Sequence, residues 1–444
     1  MRSPALRFGR ARLRRLVRMP LVSPRLWWRR LVFWAGAVAV AVVAILFAAG
    51  ADWATAQFLR LVKNSAWRVF LIAPAGLVTA LLLTRHVFPG AQGSGIPQVI
   101  AALHLSDEGV IGRMLSLRIA LGKVLLTLLG LASGASIGRE GPTVQVGASI
   151  MYALGRRLRL PRLELQRALV LAGGAAGVAA AFNTPLAGVV FAIEELSHSF
   201  EGRTSAVVFS AVVIAGVTTL GLVGNYTYFG HTSATLSPGL GWIAVPLCSV
   251  VGGISGGVFS RVLLRFARGL PGHSGLFLAR HPVLFAAICG LLIGAIGLAS
   301  GGTTYGTGYA EARSIVEGHA HLPASYPAFK FAANVISYVS GIPGGIFAPS
   351  LAVGAGIGQW LSALVPAASP GAMTLLAMVA YFSGVVQAPI TATVIVMEMT
   401  DDQGITIPLM ATAFLATGAS RLVCRRPIYS TLARRFVAAQ QHTA

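Results

Sequence analysis

Acid is scarce in this chain: 13 Asp and Glu stand among 444 residues, against 35 Lys and Arg. Charge of either sign makes up 11% of the sequence, under half of the roughly 25% usual in soluble proteins. So few charges cannot solvate the surface of a soluble domain, which excludes a cytosolic enzyme, a coiled coil and a disordered chain. Cysteine is nearly missing as well. Cys248, Cys289 and Cys424 lie far apart in apolar segments, so neither a disulfide framework nor a metal-binding spacing is available. No cofactor is expected. What fills the chain is apolar: 55% hydrophobic residues and a mean hydropathy of +0.74. The 52 glycines fit a membrane protein, because small residues let helices approach closely in lipid.

The net charge of +22 is unevenly placed. Ten arginines fall between Arg2 and Arg30, and five more between Arg421 and Arg435. Basic residues that flank apolar spans mark the cytoplasmic side of a membrane. Both tails are therefore expected in the cytoplasm, the number of full crossings is expected to be even, and the charge suits a lipid surface and not nucleic acid. The run Leu31–Ala51 holds 21 uncharged residues, enough to span a bilayer, and is read as a retained first membrane helix.

Further full spans are expected at 68–87, 111–132, 204–223, 242–264 and 283–300. Four other apolar segments, 142–153, 184–196, 349–365 and 389–399, are too short to cross and each begins beside a proline. Half-helices persist in a bilayer only where their ends are buried in protein or line a watery cavity. Two of these segments repeat in order. GREGPTVQVGASI at 138–150 aligns with GIFAPSLAVGAGI at 345–357, and NTPLAGVVFAIEEL at 183–196 with QAPITATVIVMEMT at 387–400. The offsets are 207 and 204 residues, so two matches keep nearly one register. Repeated halves with interrupted helices place a binding site at their interface. The expected architecture is an all-α polytopic membrane protein of two inverted repeats, 31–230 and 231–435, between tails at 1–30 and 436–444.

The candidate site follows from the breaks. A helix N-terminus offers unpaired N–H groups and about half a positive charge, which together attract anions. Gly138-Arg139-Glu140-Gly141-Pro142 and Gly344-Gly345-Ile346-Phe347-Ala348-Pro349 each present such a start. Glu140 sits inside the first. A carboxylate near the bilayer centre costs about 2.5–3.5 kcal/mol on insertion scales, so it is read as functional. It can occupy the anion position itself and leave when protonated. Gln92-Gly93-Ser94-Gly95-Ile96-Pro97 makes a third break, where Ser94 offers a hydroxyl, and Tyr429 offers another from the far end of the chain. Glu194 and Glu195 close the half-helix that begins at Pro185. Adjacent acids on a helix point about 100° apart, so one of the two is read as structural and the other as facing water; Glu194 has a repeat mate in Glu398, whereas Glu195 has none and breaks the symmetry. Gly134-Ala-Ser136-Ile-Gly138 matches the GxSxG of serine hydrolases, but no strand precedes it as that motif requires.

Taken together, GSGIP at 93–97, GREGP at 138–142, GIFAP at 345–349 and Tyr429 resemble the CLC family of chloride channels and chloride/proton antiporters, over about residues 30–435. The resemblance implies a central anion site built from the Ser94 and Tyr429 hydroxyls and the backbone N–H groups of Ile346 and Phe347, with further amides from the turn at Arg139 and Gly141. It implies Glu140 as external gate and proton acceptor and Glu195 as internal proton-transfer residue. Glu195 favours an antiporter exchanging chloride for protons over the alternative, a passive glutamate-gated channel. Gln98 and Ile100 stand where some bacterial exchangers carry acids. A homodimer with one pore per subunit, in a bacterial inner membrane, is implied too. The C-terminal regulatory domains of eukaryotic members are not expected here.

Overall fold

The computed structural model describes residues 24–158, 163–197, 202–230, 232, 234–402 and 404–441. Most of the expected N-terminal tail (1–23) and the end of the C-terminal tail (442–444) lie outside them. The described residues form nineteen α-helices, and among them no strand extends beyond an isolated bridge. The first half holds α1 (Pro24–Lys63), α2 (Val69–His86), α3 (Ile96–His104), α4 (Glu108–Met114), α5 (Leu117–Ala132), α6 (Glu140–Arg157) and α7 (Leu163–Phe182). It continues with α8 (Pro185–Phe191), which runs into a π-turn at Ala192–Ser197, and α9 (Gly202–Val223). After it come α10 (Ala244–Arg268), α11 (Gly272–Arg280), α12 (Pro282–Ala299), α13 (Tyr309–Val316) and α14 (Tyr326–Val339). The chain closes with α15 (Phe347–Ser362), α16 (Pro370–Val386), α17 (Pro389–Thr400), α18 (Thr406–Val423) and α19 (Ile428–Gln441).

Eight helical stretches among the described residues are long and apolar enough to cross a membrane. Six coincide with the expected spans. The first is much longer than its apolar centre, because α1 runs on through a polar turn to Lys63. Two were not expected: Glu164–Phe182 and Thr406–Val423. The first of these is built largely from Ala and Gly and is almost wholly enclosed, so its mean hydropathy understates its burial. Helices α8 and α17 begin at their prolines, whereas α6 and α15 begin two residues ahead of theirs, at Glu140 and Phe347. Pro at the first or second position suits a helix start, since its missing N–H would go unbonded there anyway.

Packing follows the repeat. Helix α6 lies along α7, as α15 lies along α16. Helix α9 packs on α7, as α18 packs on α16, and α8 meets α17 between the halves. The close approach of α6 and α7 needs glycine on both sides: a Cβ on Gly147 would run into the Gly173 carbonyl, and the reverse.

The α8–α17 contact carries an exchange of caps. Glu194 accepts from the Ile390 and Thr391 amides at 3.1 and 2.6 Å. Glu398 accepts from the Leu186 and Ala187 amides at 3.1 and 2.7 Å. Each carboxylate therefore bonds the exposed first turn of the other half's short helix, and its charge complements the helix dipole. A carboxylate cap of this kind contributes about 1–2 kcal/mol. Glu194→Ala and Glu398→Ala should each lower the thermal midpoint of the purified protein by similar amounts, with the Gln variants falling less. Wild-type midpoints in both Ala variants would show that these turns are satisfied in some other way.

Candidate anion site

Three glycine-rich breaks come together at the centre of the fold. Gly138 and Gly345, which the repeat aligns, exchange two backbone hydrogen bonds of 2.7 Å each. The Gly344 amide donates to the Gly93 carbonyl at 3.1 Å, tying in the third break. Helices α3, α6 and α15 start from these breaks, and none of their N-caps makes a side-chain capping bond. In α3 the Ile96 amide donates to Ser94 Oγ at 3.4 Å, while the first-turn amides of α6 and α15 are left to face the space between them. Gly95 enters α3 with a φ of 96°, a conformation that L side chains rarely adopt, and a Cβ there would lie 2.8 Å from the Cβ of Gln145.

Glu140 fills this space. Its side chain is fully buried, and Oε1 accepts a 2.7 Å hydrogen bond from the Tyr309 hydroxyl. Arg139 Nε lies 3.9 Å from the same oxygen. Oε2 has no hydrogen-bond partner by strict geometry; it lies over Gly138, where only a hydrogen fits, and faces the Ala348 amide in the first turn of α15. The protein's own carboxylate thus sits where two helix starts converge, the position that suits a free anion.

Ser94 is buried beside Gly141: a Cβ on Gly141 would lie 2.9 Å from the Ser94 carbonyl oxygen and 3.0 Å from its Oγ. The Tyr429 hydroxyl is buried near Ser94, without a well-formed hydrogen bond of its own, and lies in the field of both Glu140 and Glu195. Phe347 sets the wall, its ring packed on Phe382 at 4.7 Å, Phe191 and Tyr429 at 5.9 Å, and Phe182 at 6.0 Å. Ile346 precedes it at the helix start and is buried. Glu195 sits in the π-turn after α8, only 3% exposed, with Oε1 unpartnered. That corrects half of the expectation for the acid pair. Glu194 is the structural member, and Glu195 is enclosed and does not face water. Buried polar groups without partners are rare in folded proteins, and here Glu140 Oε2, Tyr429 OH and Glu195 Oε1 share that property.

Arg139 turns its side chain away from the amides. Nη1 donates to the Ala48 carbonyl at 2.7 Å and to Asp52 at 3.0 Å, and Nη2 donates to the Tyr228 hydroxyl. Its guanidinium lies over the Tyr228 and Tyr309 rings, 5.4 and 5.5 Å from their centroids. Its Nε has no hydrogen-bond partner among the described residues and lies 3.9 Å from Glu140 Oε1, so the guanidinium edge borders the anion position together with the Arg139 backbone. Ser136 spends its hydroxyl on Asn334 at 2.6 Å, in a network that includes Ser337 and no histidine. Gln98 donates to the Gln92 carbonyl at 2.6 Å, and so shapes the Ser94 loop from behind.

Several contributors escaped the sequence reading. Tyr309, the donor to Glu140, opens α13 after Gly306-Thr307-Gly308, a second loop like Gly93-Ser94-Gly95 with both glycines again at positive φ. That match, at an offset of 213 residues, was the available signal. Lys123 and Lys330, 207 residues apart, are both buried. Lys123 donates to the Gly93 carbonyl at 2.9 Å, and Lys330 to the Thr304 and Gly306 carbonyls at 3.0 Å each. Each lysine thus braces one of the two loops.

Tyr309→Phe removes the side-chain donor to Glu140. A hydrogen bond to a charged group is worth about 1.5–3 kcal/mol, so the carboxylate should yield the site more readily. Calorimetric halide titration should then show affinity raised about ten-fold. Unchanged affinity would mean that the helix starts alone hold Glu140.

The family model for voltage-gated chloride channels matches residues 75–421. The H(+)/Cl(-) exchange transporter ClcA of Yersinia pseudotuberculosis serotype IB (strain PB1/+) is 32% identical over 433 residues, covering 91% of this chain and 87% of that one. ClcA of Cronobacter sakazakii (strain ATCC BAA-894) is 32% identical over 425 residues, covering 89% and 87%. Among solved structures, a slow cyanobacterial Cl-/H+ antiporter superposes with a TM-score of 0.75 at 26% identity, covering 92% of this chain and 99% of that one. A CLC-type fluoride/proton antiporter shares the fold, with a TM-score of 0.76 at 21% identity over 90% and 96% of the two chains. With eight long apolar stretches among its described residues, this chain is a multi-pass integral membrane protein.

Proposed function

Since the chain belongs to the voltage-gated chloride channel family, we propose that it is a secondary active transporter that exchanges chloride for protons. One observation carries the reading: the Glu140 carboxylate lies against the first turn of α15, where a chloride ion would be stabilised by the same amides. Carboxylate and chloride then compete for one positive helix end. Protonation removes the carboxylate's charge and its hold on the amides, so it leaves, carrying a proton as chloride enters. Ser94, Tyr429 and the amides of Ile346 and Phe347 receive the ion beneath it, with backbone from Arg139 and Gly141 above. Glu195, enclosed on the Tyr429 side, takes up protons from the cytoplasm and exchanges them with Glu140. Its lack of a repeat mate suits a duty that only one side of the membrane requires.

We propose too that the halves divide near residue 230, that both tails lie in the cytoplasm of a bacterial inner membrane, and that two copies associate, each with its own pore. The basic runs before α1 and after α18 support that orientation. No cofactor enters the cycle.

The reading is tested in liposomes. A chloride gradient should drive proton movement in the wild type, and chloride flux should rise as external pH falls, because protonation vacates the site. Glu140→Gln should carry chloride without protons and without that pH response. Glu195→Gln should also lose proton movement, yet its chloride flux should still respond to external pH, since Glu140 can titrate. Chloride flux with no coupled protons in the wild type would point to a glutamate-gated channel.

A further inference from the structure

Seven arginines line one cavity of about 1270 Å³ at the basic end of the membrane domain. Arg261, Arg265 and Arg268 come from the last turns of α10. Arg425 and Arg426 come from the α18–α19 junction, and Arg434 and Arg435 from α19. All seven are exposed, no carboxylate lines the cavity, and among the described residues none of the seven is ion-paired. Elsewhere arginines do find carboxylates, as Arg139 pairs with Asp52 and Arg313 with Glu317. Here seven like charges face one space and repel, and an anion bound among them would relieve that repulsion.

The surroundings select the kind of anion. Val250, Ile254 and Val258 form an exposed apolar stripe along α10, four residues apart. The same helix face continues into Arg261 and Arg265. On the opposite wall Leu422, 85% exposed, ends the apolar face of α18 that includes Phe414 and Leu415, and Arg425 follows within a turn. Surfaces suited to acyl chains thus run directly into the arginine cavity. A soluble anion would use only the arginines; an anionic lipid uses both. Guanidinium groups bind phosphate oxygens in pairs, and basic pockets between membrane helices suit lipid headgroups.

We propose that this cavity binds the phosphate headgroup of an anionic phospholipid whose acyl chains lie along α10 and α18. A lipid held there also restrains α19, whose first turn carries Tyr429, so headgroup occupancy reaches the floor of the anion site.

The test uses the full chain purified in zwitterionic detergent, with lipid retention read by native mass spectrometry. Wild-type protein should retain dioleoylphosphatidylglycerol at least ten-fold over dioleoylphosphatidylcholine. The triple variant Arg265→Gln, Arg425→Gln, Arg434→Gln should lose that preference, whereas Arg60→Gln, Lys63→Gln, Arg85→Gln, equal in charge change, should keep it. Phosphatidylglycerol should raise the thermal midpoint of the wild type and of the second triple but not of the first. Equal retention of both lipids by the wild type would overturn the proposal whatever the variants do. So would equal loss in both triples, which would mean a general charge effect, or displacement of the lipid by equimolar inorganic phosphate, which would mean a soluble-anion site.

Discussion

A helix that stops inside a membrane exposes N–H groups in a medium with no water to bond them. The paired hydrogen bonds between Gly138 and Gly345 are where this fold meets that constraint. They join two helix breaks back to back, which satisfies one amide and one carbonyl of each and leaves the first-turn amides of α6 and α15 turned toward a shared space. The rest of the centre is arranged around that outcome. Lys123 braces the loop that brings in Ser94, the Phe347 ring cluster holds the start of α15, and Arg139 locks α6 to α1 through Ala48 and Asp52. In an anion site assembled this way the backbone amides face the ion directly, and the Arg139 guanidinium adds its charge from the side, with Nε 3.9 Å from Glu140 Oε1.

Charge is correspondingly sparing and placed. Glu140 supplies the competitor to the ion, Glu195 an enclosed carboxyl on the Tyr429 side, and Glu194 and Glu398 the exchanged caps. Lys123 and Lys330, two of the three lysines in the chain, serve the two glycine loops. Most remaining positive charge is arginine at the ends of spanning helices and in the tails, where water or headgroups can reach it.

Much of this was legible in the sequence. The repeat, the prolines and the glycine breaks located α6, α8, α15 and α17 and the residues at their starts, because those features act locally. Two kinds of information were not. Burial does not announce itself when a helix is built from Ala and Gly, so α7 escaped a reading that weighs hydropathy. Long-range pairings are not written in local spacing: the second Gly-x-Gly loop marks the start of α13, but nothing near Glu140 pairs it with Tyr309, 169 residues away, or Arg139 with Asp52. Glu195 was recognisable as the odd member of the repeat, but its enclosure depends on how the π-turn after α8 packs, which composition does not encode.

The exchanged caps of α8 and α17 also set an order of assembly. Helix α8 emerges from the ribosome with its first turn bare, and the carboxylate that bonds it, Glu398, is made 213 residues after Pro185. At synthesis rates of about 5–20 residues per second the interval is roughly 10–40 s. During that time the first half must wait in or beside the translocation machinery with an unsatisfied helix end, unable to close its own fold. Neither half is a finished object: each is completed by the other.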